Sequence, residues 1–309
     1  MSSSSAEAAP TRRLDPGFLL FLTPVLWGAT FPAAKLGLEV IGVHPFMAWT
    51  RLIGFVTILA GIPLVARGQV TRRALRAALL PGLLLGGFIF VAYVLQTEGL
   101  ARTTATNAGF ITGLYVVFTP VLALALFRQP AGLPAWVAVV VSVLGLALLS
   151  VPALDDLQVR PGDLLVLLSA VAWAAHVVGV GRLARRHPAA VLSLAQMGAA
   201  AGFHLVATIG PGLHPAGAVE VWHLLVVTGV LGSGLAYTLQ VMAQREVTAG
   251  RAVVILAGES VAAAAFAAVW IGERLAVHQW VGAAIVLLAM AISELGARRA
   301  AASRIEPAT

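Results

Sequence analysis

The stretch Val253–Leu275, VVILAGESVAAAAFAAVWIGERL, is apolar almost throughout, but it carries Glu259 near its middle and Glu273 just after the apolar run. An α-helix needs about 20 apolar residues to cross a bilayer. The stretch is long enough, so it predicts a membrane-spanning helix with one acid inside the bilayer. Ionisable residues in that position are costly and usually functional, so Glu259 points to a function within the membrane.

The composition of the whole chain also indicates a membrane protein. Of its 309 residues, 60% are hydrophobic and only 11% are charged, and the mean hydropathy is +0.94. A soluble domain usually carries about 25% charged residues, so lipid is predicted to be the solvent. The chain has no cysteine, which excludes disulfides and thiolate chemistry. Its net charge of +7 lies mostly in short arginine clusters between apolar runs, which favours membrane orientation over nucleic-acid binding.

Ten apolar runs predict an all-α, polytopic fold of ten membrane-spanning helices. The runs fall near residues 18–38, 45–66, 78–100, 104–127, 133–152, 162–181, 189–209, 221–243, 248–271 and 277–296. Ten spans place both termini on the same side of the membrane. With the N-terminus inside, the outer segments contain only Arg102, Arg160 and Arg274, and most other arginines lie in inner segments. The positive-inside rule therefore predicts an N-in, C-in topology.

The two ends of the chain are predicted to lie outside the helical bundle. Residues 1–16 are polar and are expected to form a disordered N-terminus. They are not expected to begin a signal peptide, because the apolar run that follows is longer than a signal core and many similar runs follow it. Residues 298–309 form a basic C-terminal tail.

The sequence repeats itself along the chain. AYVLQ at residues 92–96 returns 144 residues later as AYTLQ at 236–240, and Trp27 and Trp173 match at a spacing of 146. We therefore expect a first five-helix repeat at 17–152 and a second at 162–297. Because five is odd, the second copy enters the membrane from the opposite face. Such inverted repeats recur in secondary transporters, with the substrate site near the bilayer midplane.

Several short motifs resemble one known family. They are LWGATFPAAKLGL at 26–38, the pair Thr119-Pro120, WIGERL at 270–275 and QWVGA at 279–283. Together they resemble EamA-type permeases of the drug/metabolite transporter superfamily, over about residues 18–297. The resemblance implies a protein of the inner membrane that moves small metabolites or toxic compounds, mostly outward. Members of that family include amino-acid exporters, but the substrate itself is not implied.

These observations predict a multi-pass secondary transporter of the inner (plasma) membrane that works by alternating access, with export expected. Amino acids or related amine-bearing compounds are the favoured substrates, and protons are a further candidate partner. No cofactor is expected, and no enzymatic role, because the chain has no Walker A motif and no paired carboxylate motif inside a span. A polytopic membrane enzyme, an uptake permease and a channel are the alternatives.

Glu259 is the first candidate for the transport site. It is predicted to contact a cationic or amine-bearing substrate, or to take up a proton that is coupled to transport. The structural alternative is a neutral acid that hydrogen-bonds a neighbouring helix. Glu273, at the outer edge, is expected to cap the helix or to pair with Arg274 or with the next helix.

Other side chains within the spans are predicted to line a substrate cavity, because small-molecule pockets combine apolar walls with a few polar groups. Core packing and an interfacial aromatic belt are the alternatives. The candidates are Trp27, Tyr93, Gln96, Asn107, Tyr115, Trp173, His176, Tyr237 and Gln240. No metal site is expected, because the histidines are not spaced as metal ligands.

Four charged residues are candidates for gating or are assigned to the membrane border. Lys35 and Glu98 lie at matching outer depths and are predicted to form a gate pair, with snorkelling to the interface as the alternative. Arg251 shares a helical face with Glu259 and is predicted to line an inner vestibule with it, or else to anchor a lipid headgroup. Arg51 is expected at the interface or in a pair with an outer carboxylate.

Overall fold

The computed structural model describes residues 15–66, 68–103, 105–150, 160–270, 272 and 274–302. Within this part of the chain, ten helices are long and apolar enough to cross a membrane, and no strand occurs. The spans, in chain order, are α1 Pro16–Ile41, α2 Val43–Pro63, α3 Arg72–Leu100, α4 Ala108–Phe127, α5 Leu133–Ser150, α6 Pro161–Leu183, α7 Ala189–Ala207, α8 Trp222–Ala243, α9 Ala249–Trp270 and α10 Val277–Arg299. The predicted all-α, ten-helix fold is confirmed; the inverted repeat and the N-in topology stay predictions.

The helix ends differ from the predicted ones where polar residues continue an apolar helix. The helix of α3 begins at Arg72, six residues before the predicted start, and Thr71 caps it by accepting a hydrogen bond from the amide of Ala74 at 3.1 Å. The last helix runs on to Ala302, so part of the predicted basic tail is helical. Pro16 begins α1 after the Asp15 cap, and the predicted disorder at residues 1–14 lies outside the described residues.

Two spans are broken at corresponding places in the two halves. The helix Ala105–Gly113 is separated at Leu114 from Tyr115–Phe127 in α4, and Ala249–Leu256 is separated at Ala257 from Gly258–Trp270 in α9. At each break a backbone hydrogen bond spans only three residues, from Leu114 to Ile111 and from Ser260 to Ala257. Such tightened turns interrupt an α-helix and often mark functional positions.

The span α8 departs from α-helical geometry in a different way. A short helix, Pro215–Glu220, precedes α8. The central part of α8, Thr228–Ala236, is a π-helix. Glycines in this segment let α2 approach closely: a Cβ on Gly229 would lie 2.6 Å from the Ile53 side chain, and one on Gly234 would lie 2.8 Å from Thr57. The widened segment therefore packs tightly against α2.

The ten spans pack in reciprocal pairs. α2 packs against α7 and α5 against α10, and these are corresponding helices of the two predicted halves. α1 packs against α8 and α9, while α6 packs against α3 and α4. A two-fold relation between two similar halves produces reciprocal contacts of this kind. The packing therefore supports the repeat that the sequence predicts.

Candidate functional site

An aromatic cluster joins the two halves inside the bundle. Trp27 of α1 packs edge-to-face on Tyr237 of α8, with ring centroids 5.0 Å apart, and Trp173 of α6 packs in the same way on Tyr93 of α3 at 4.9 Å. His176 connects the two pairs, at 5.7 Å from Tyr237 and 6.2 Å from Trp173. These five residues are called the aromatic cluster below. Corresponding residues of the two halves thus make corresponding contacts.

The polar atoms of the cluster are bonded to groups on neighbouring elements. The indole nitrogen of Trp27 donates to the carbonyl of Gly232 in the π-helical segment at 3.0 Å. The indole nitrogen of Trp173 donates to the side-chain oxygen of Gln96 at 3.3 Å, and the Gln96 amide donates to Thr112 at 3.3 Å. A buried indole N–H requires an acceptor, so these bonds fix the orientation of both tryptophans.

His176 is fully buried and its ring is 3.1 Å from the side-chain oxygen of Gln196 in α7. His204 of α7 lies beside the cluster, with its ring 4.9 Å from Phe90 and 6.5 Å from Tyr93. Neither ring nitrogen of His204 has a hydrogen-bond partner among the described residues. The aromatic cluster is therefore bordered by buried polar groups whose bonding capacity is not fully used.

Glu259 is the second residue of the helix that follows the break in α9. It is half-buried, and it lies close enough to Tyr115 and Tyr237 for its charge to act on both hydroxyls. Among the described hydrogen bonds and ion pairs, none involves Glu259. The helix break gives the carboxylate a favourable position, because acids are stabilised in the first turn of a helix by about 0.3–1 kcal/mol.

Tyr115 is the counterpart of Glu259 in the first half, 144 residues earlier, and it begins the helix that follows the break in α4. Both breaks therefore present the first turn of a half-helix, and the two side chains lie near each other. Close packing of α9 on α1 keeps this region compact, since a Cβ on Gly28 would lie 2.4 Å from the Cβ of Ala262. Glu259 thus adjoins the aromatic cluster through Tyr237 and through its own counterpart.

Arg51 is a buried charge whose observed position differs from the predicted one. Its predicted place at the interface, or beside an outer carboxylate, is wrong: the residue is 3% exposed, and no carboxylate in the described ranges pairs with it. Its guanidinium carbon lies 4.4 Å above the Tyr93 ring, and the group donates to the hydroxyl of Ser233. Because α2 begins at Val43, Arg51 lies about 12 Å into the span. Its distance from the start of the apolar run was the available signal.

One of the predicted lining residues does not join this group, and the side chain of another is not described. Gln240 is fully buried and donates to Gln244, which in turn donates to the carbonyl of Val177 at 2.9 Å. It belongs to a separate network between α8 and α6. Asn107 lies outside the residues whose side chains the structure describes. The remaining candidates, Trp27, Tyr93, Gln96, Tyr115, Trp173, His176, Tyr237 and Glu259, are brought together.

The predicted gating contacts are replaced by other ion pairs. Glu98 pairs at 3.1 Å with Arg102, which lies in the turn just after the end of α3, so the predicted pair with the exposed Lys35 is not formed. Arg251 pairs with Glu294 of α10, and the break at Ala257 places Arg251 and Glu259 on different helices. The inner vestibule that the two were predicted to line stays a prediction. The predicted contact of Glu273 lies outside the described residues.

Comparisons with known proteins agree with this architecture. The sequence pattern of the EamA-like transporter family matches residues 16–151 and again residues 160–294. An uncharacterized transporter of Archaeoglobus fulgidus is 28% identical over 292 residues, which cover 93% of this chain and 88% of the relative. The uncharacterized transporter YdfC of Bacillus subtilis is 25% identical over 162 residues, 52% of each chain. A solved crystal structure has the same fold, with a TM-score of 0.76 at 19% identity, covering 92% of this chain and 98% of that one.

Proposed function

Because the chain belongs to the EamA-like transporter family of membrane permeases, we propose that it exports small metabolites by alternating access, with amino acids or related amine-bearing compounds as the favoured substrates. It is a multi-pass protein of the inner membrane. The proposed substrate site lies between the two halves, at the aromatic cluster and Glu259. Binding at such an interface favours rocking of one half against the other.

The observation that carries this proposal is the environment of Glu259. An acid inside a membrane span costs about 2.5–3.5 kcal/mol on insertion scales, unless it is paired, wet or protonated. Glu259 has no ion-pair partner among the described residues, but it keeps part of its surface accessible and lies within electrostatic range of two tyrosines. An amine group of a substrate would offset its charge. A proton would do the same, so Glu259 is also the proposed coupling site.

The walls of the proposed site suit a small organic cation. Trp27, Tyr93, Trp173 and Tyr237 present aromatic rings from both halves. Aromatic faces attract cations and also bind apolar side chains. A substrate with one amine and an apolar body fits both properties.

The proposal is tested by counterflow in proteoliposomes with a panel of amino acids and amines, comparing the wild type with Glu259→Gln. We expect saturable counterflow by the wild type, and a loss of about 10-fold or more in the variant, because one charge-assisted contact is worth about 1.5–3 kcal/mol. Glu246→Gln, at an exposed position outside the spans, is the matched control and should transport normally.

Three outcomes would contradict parts of the proposal. Equal transport by the wild type and Glu259→Gln would remove the amine and proton roles of Glu259. Flux that rises linearly with concentration would indicate a channel. No saturable flux of any amine-bearing compound would overturn the substrate class. A dye that reports internal pH during counterflow would separate proton coupling from facilitated exchange.

A further inference from the structure

We propose that Arg51 binds the carboxylate of the transported compound, so that the substrate class is the amino acid itself and not an amine without a carboxylate. This inference rests on the proposed function and names a second recognition group for the same site. Glu259 would hold the amine and Arg51 the carboxylate.

The first argument is that Arg51 is a buried cation without an anion. The residue is 3% exposed, and its guanidinium contacts a hydroxyl, a thioether and an aromatic ring. In the part of the chain that the structure describes, no acidic side chain lies within ion-pair distance of it. Buried charges are normally paired, because an unpaired charge in a low-dielectric interior is strongly unfavourable. An anionic ligand would supply the missing partner.

The second argument is the pattern of used and unused N–H groups. Nη1 donates to the hydroxyl of Ser233. Among the residues that the structure describes, Nε has no hydrogen-bond partner, and Nη2 reaches only the sulfur of Met47 at 3.5 Å. Nε and Nη2 form one edge of the guanidinium, and that edge matches the two oxygens of a carboxylate. Met47 covers this edge with a flexible side chain and a weak acceptor, which a carboxylate would displace.

The third argument is that Arg51 and Glu259 act on the same neighbour. Tyr237 lies within electrostatic range of both the Arg51 guanidinium and the Glu259 carboxylate. Tyr237 also belongs to the aromatic cluster, through Trp27 and His176. A positive and a negative group near the same tyrosine match the opposite charges of an amino acid in its zwitterionic form.

The competing explanation is that Arg51 has a purely structural role and holds α2 against α8 through its hydrogen bond to Ser233. Close packing already holds this helix pair together: a Cβ on Gly54 would lie 2.5 Å from the Cβ of Ser233, and Gly229 and Gly234 receive side chains of α2. Small residues of this kind drive helix association in membranes without any charge. The packing of α2 against α8 therefore does not require a charged hydrogen bond.

The inference is tested by counterflow in proteoliposomes with two matched probe series. One series is phenylalanine, phenylalaninamide and phenethylamine, and the other is leucine, leucinamide and isopentylamine. We expect the wild type to favour the amino acids over their amides and amines. In Arg51→Gln this preference should fall about 10- to 100-fold, and Arg51→Lys should restore it only in part, because a lysine cannot bind a carboxylate through a fork.

Ser233→Ala is the matched control, since it removes the acceptor of Nη1 but leaves the guanidinium and its free edge. It should keep the preference for amino acids. If Arg51→Gln lowers transport of all six probes in equal proportion, as loss of a structural fastener would, the inference is overturned. It is also overturned if the wild type carries amides and amines as well as amino acids, although the proposed function would then stand. If no probe shows saturable flux, the proposed function fails, and this inference fails with it.

A second measurement does not depend on the folding of any variant. Thermal unfolding of the solubilised wild-type protein is followed with each probe at equal concentration. The amino acids should raise the melting temperature more than their amides do, because a ligand stabilises the folded state in proportion to its affinity. Equal stabilisation by the acid and amide of both series would overturn the inference.

Discussion

At the residue scale, the tryptophans Trp27 and Trp173 occupy corresponding positions but bond to different kinds of acceptor. Trp27 donates to a backbone carbonyl, which the helix of Gly232 holds in place. Trp173 donates to Gln96, a side chain that is itself held by a hydrogen bond to Thr112. A side-chain acceptor turns more easily than a backbone carbonyl. The Trp173 side of the aromatic cluster is therefore the better place to test whether the cluster contacts substrate.

Trp173→Phe keeps an aromatic ring but removes the donor to Gln96. A net hydrogen bond is worth about 0.5–1.5 kcal/mol, so we expect KM for transport to rise about 2- to 10-fold, with a small fall in melting temperature. Trp222→Phe, at an exposed position at the start of α8, is the control and should leave KM unchanged. If Trp173→Phe leaves both KM and kcat at wild-type values, the cluster is core packing and not part of the transport path.

Much of this site follows from local sequence patterns, and the exceptions have a physical cause. Glu259 is recognisable because apolar residues surround it, and Tyr93 and Tyr237 because AYVLQ and AYTLQ repeat. The burial of Arg51 depends instead on Ser233, 182 residues away, and on the ring of Tyr93. The position of Arg51 inside its apolar run was a local signal of burial, but no local pattern identifies these contact partners.

At the element scale, the spans themselves are predictable because each needs only a long apolar run. The breaks in α4 and α9 are not, because Leu114 and Ala257 are good helix formers and no proline adjoins either one. The π-helical segment Thr228–Ala236 is equally hidden. The corresponding residues in α3 belong to a continuous α-helix, so the repeat does not predict the π-helical segment. Tertiary packing decides these departures, and a single sequence does not display it.

Gly28 tests the close contact between α1 and the second half-helix of α9. A Cβ there would lie 2.4 Å from the Cβ of Ala262 and 2.6 Å from the amide nitrogen of Ala263, so Gly28→Ala must push the helices apart. Overpacking of this kind costs about 1–3 kcal/mol, so we expect a lower melting temperature. Because Gly28 adjoins Trp27 of the proposed substrate site, we also expect a lower transport rate.

Gly61→Ala is the matched control, since a Cβ at Gly61 in α2 meets nothing within 4 Å. An alanine there should be neutral or stabilising by up to about 1 kcal/mol, because glycine is the poorer helix former. If the two variants have the same melting temperature and the same transport rate, the α1–α9 contact is looser than the structure indicates.

At the scale of the whole molecule, an ionic cluster joins helices at the predicted inner end of the bundle. Arg251 of α9 pairs with Glu294 of α10, and Glu294 also accepts a hydrogen bond from Arg298 at 3.2 Å. The start of α1 packs against this pair, since a Cβ on Gly17 would lie 2.8 Å from a guanidinium nitrogen of Arg251. Three helices thus meet around one ion pair. In an alternating-access cycle, this contact would favour the state that is closed on the inner side.

Glu294→Gln should therefore shift the population toward inward-open states. The side chains of Arg251 and Glu294 are 22% and 25% exposed, so the pair is worth only about 0.5–1 kcal/mol, a shift of about 2- to 5-fold.

The chain has no cysteine, so a cysteine introduced at Tyr115 is a clean reporter for a membrane-impermeant maleimide. Labelling from the inner face should rise in Glu294→Gln and labelling from the outer face should fall. Arg298→Gln removes only a partner within the same helix and should leave both rates unchanged. Equal increases from both faces would mean that the pair supports the fold and does not act as a gate, because a gate trades access on one side for access on the other.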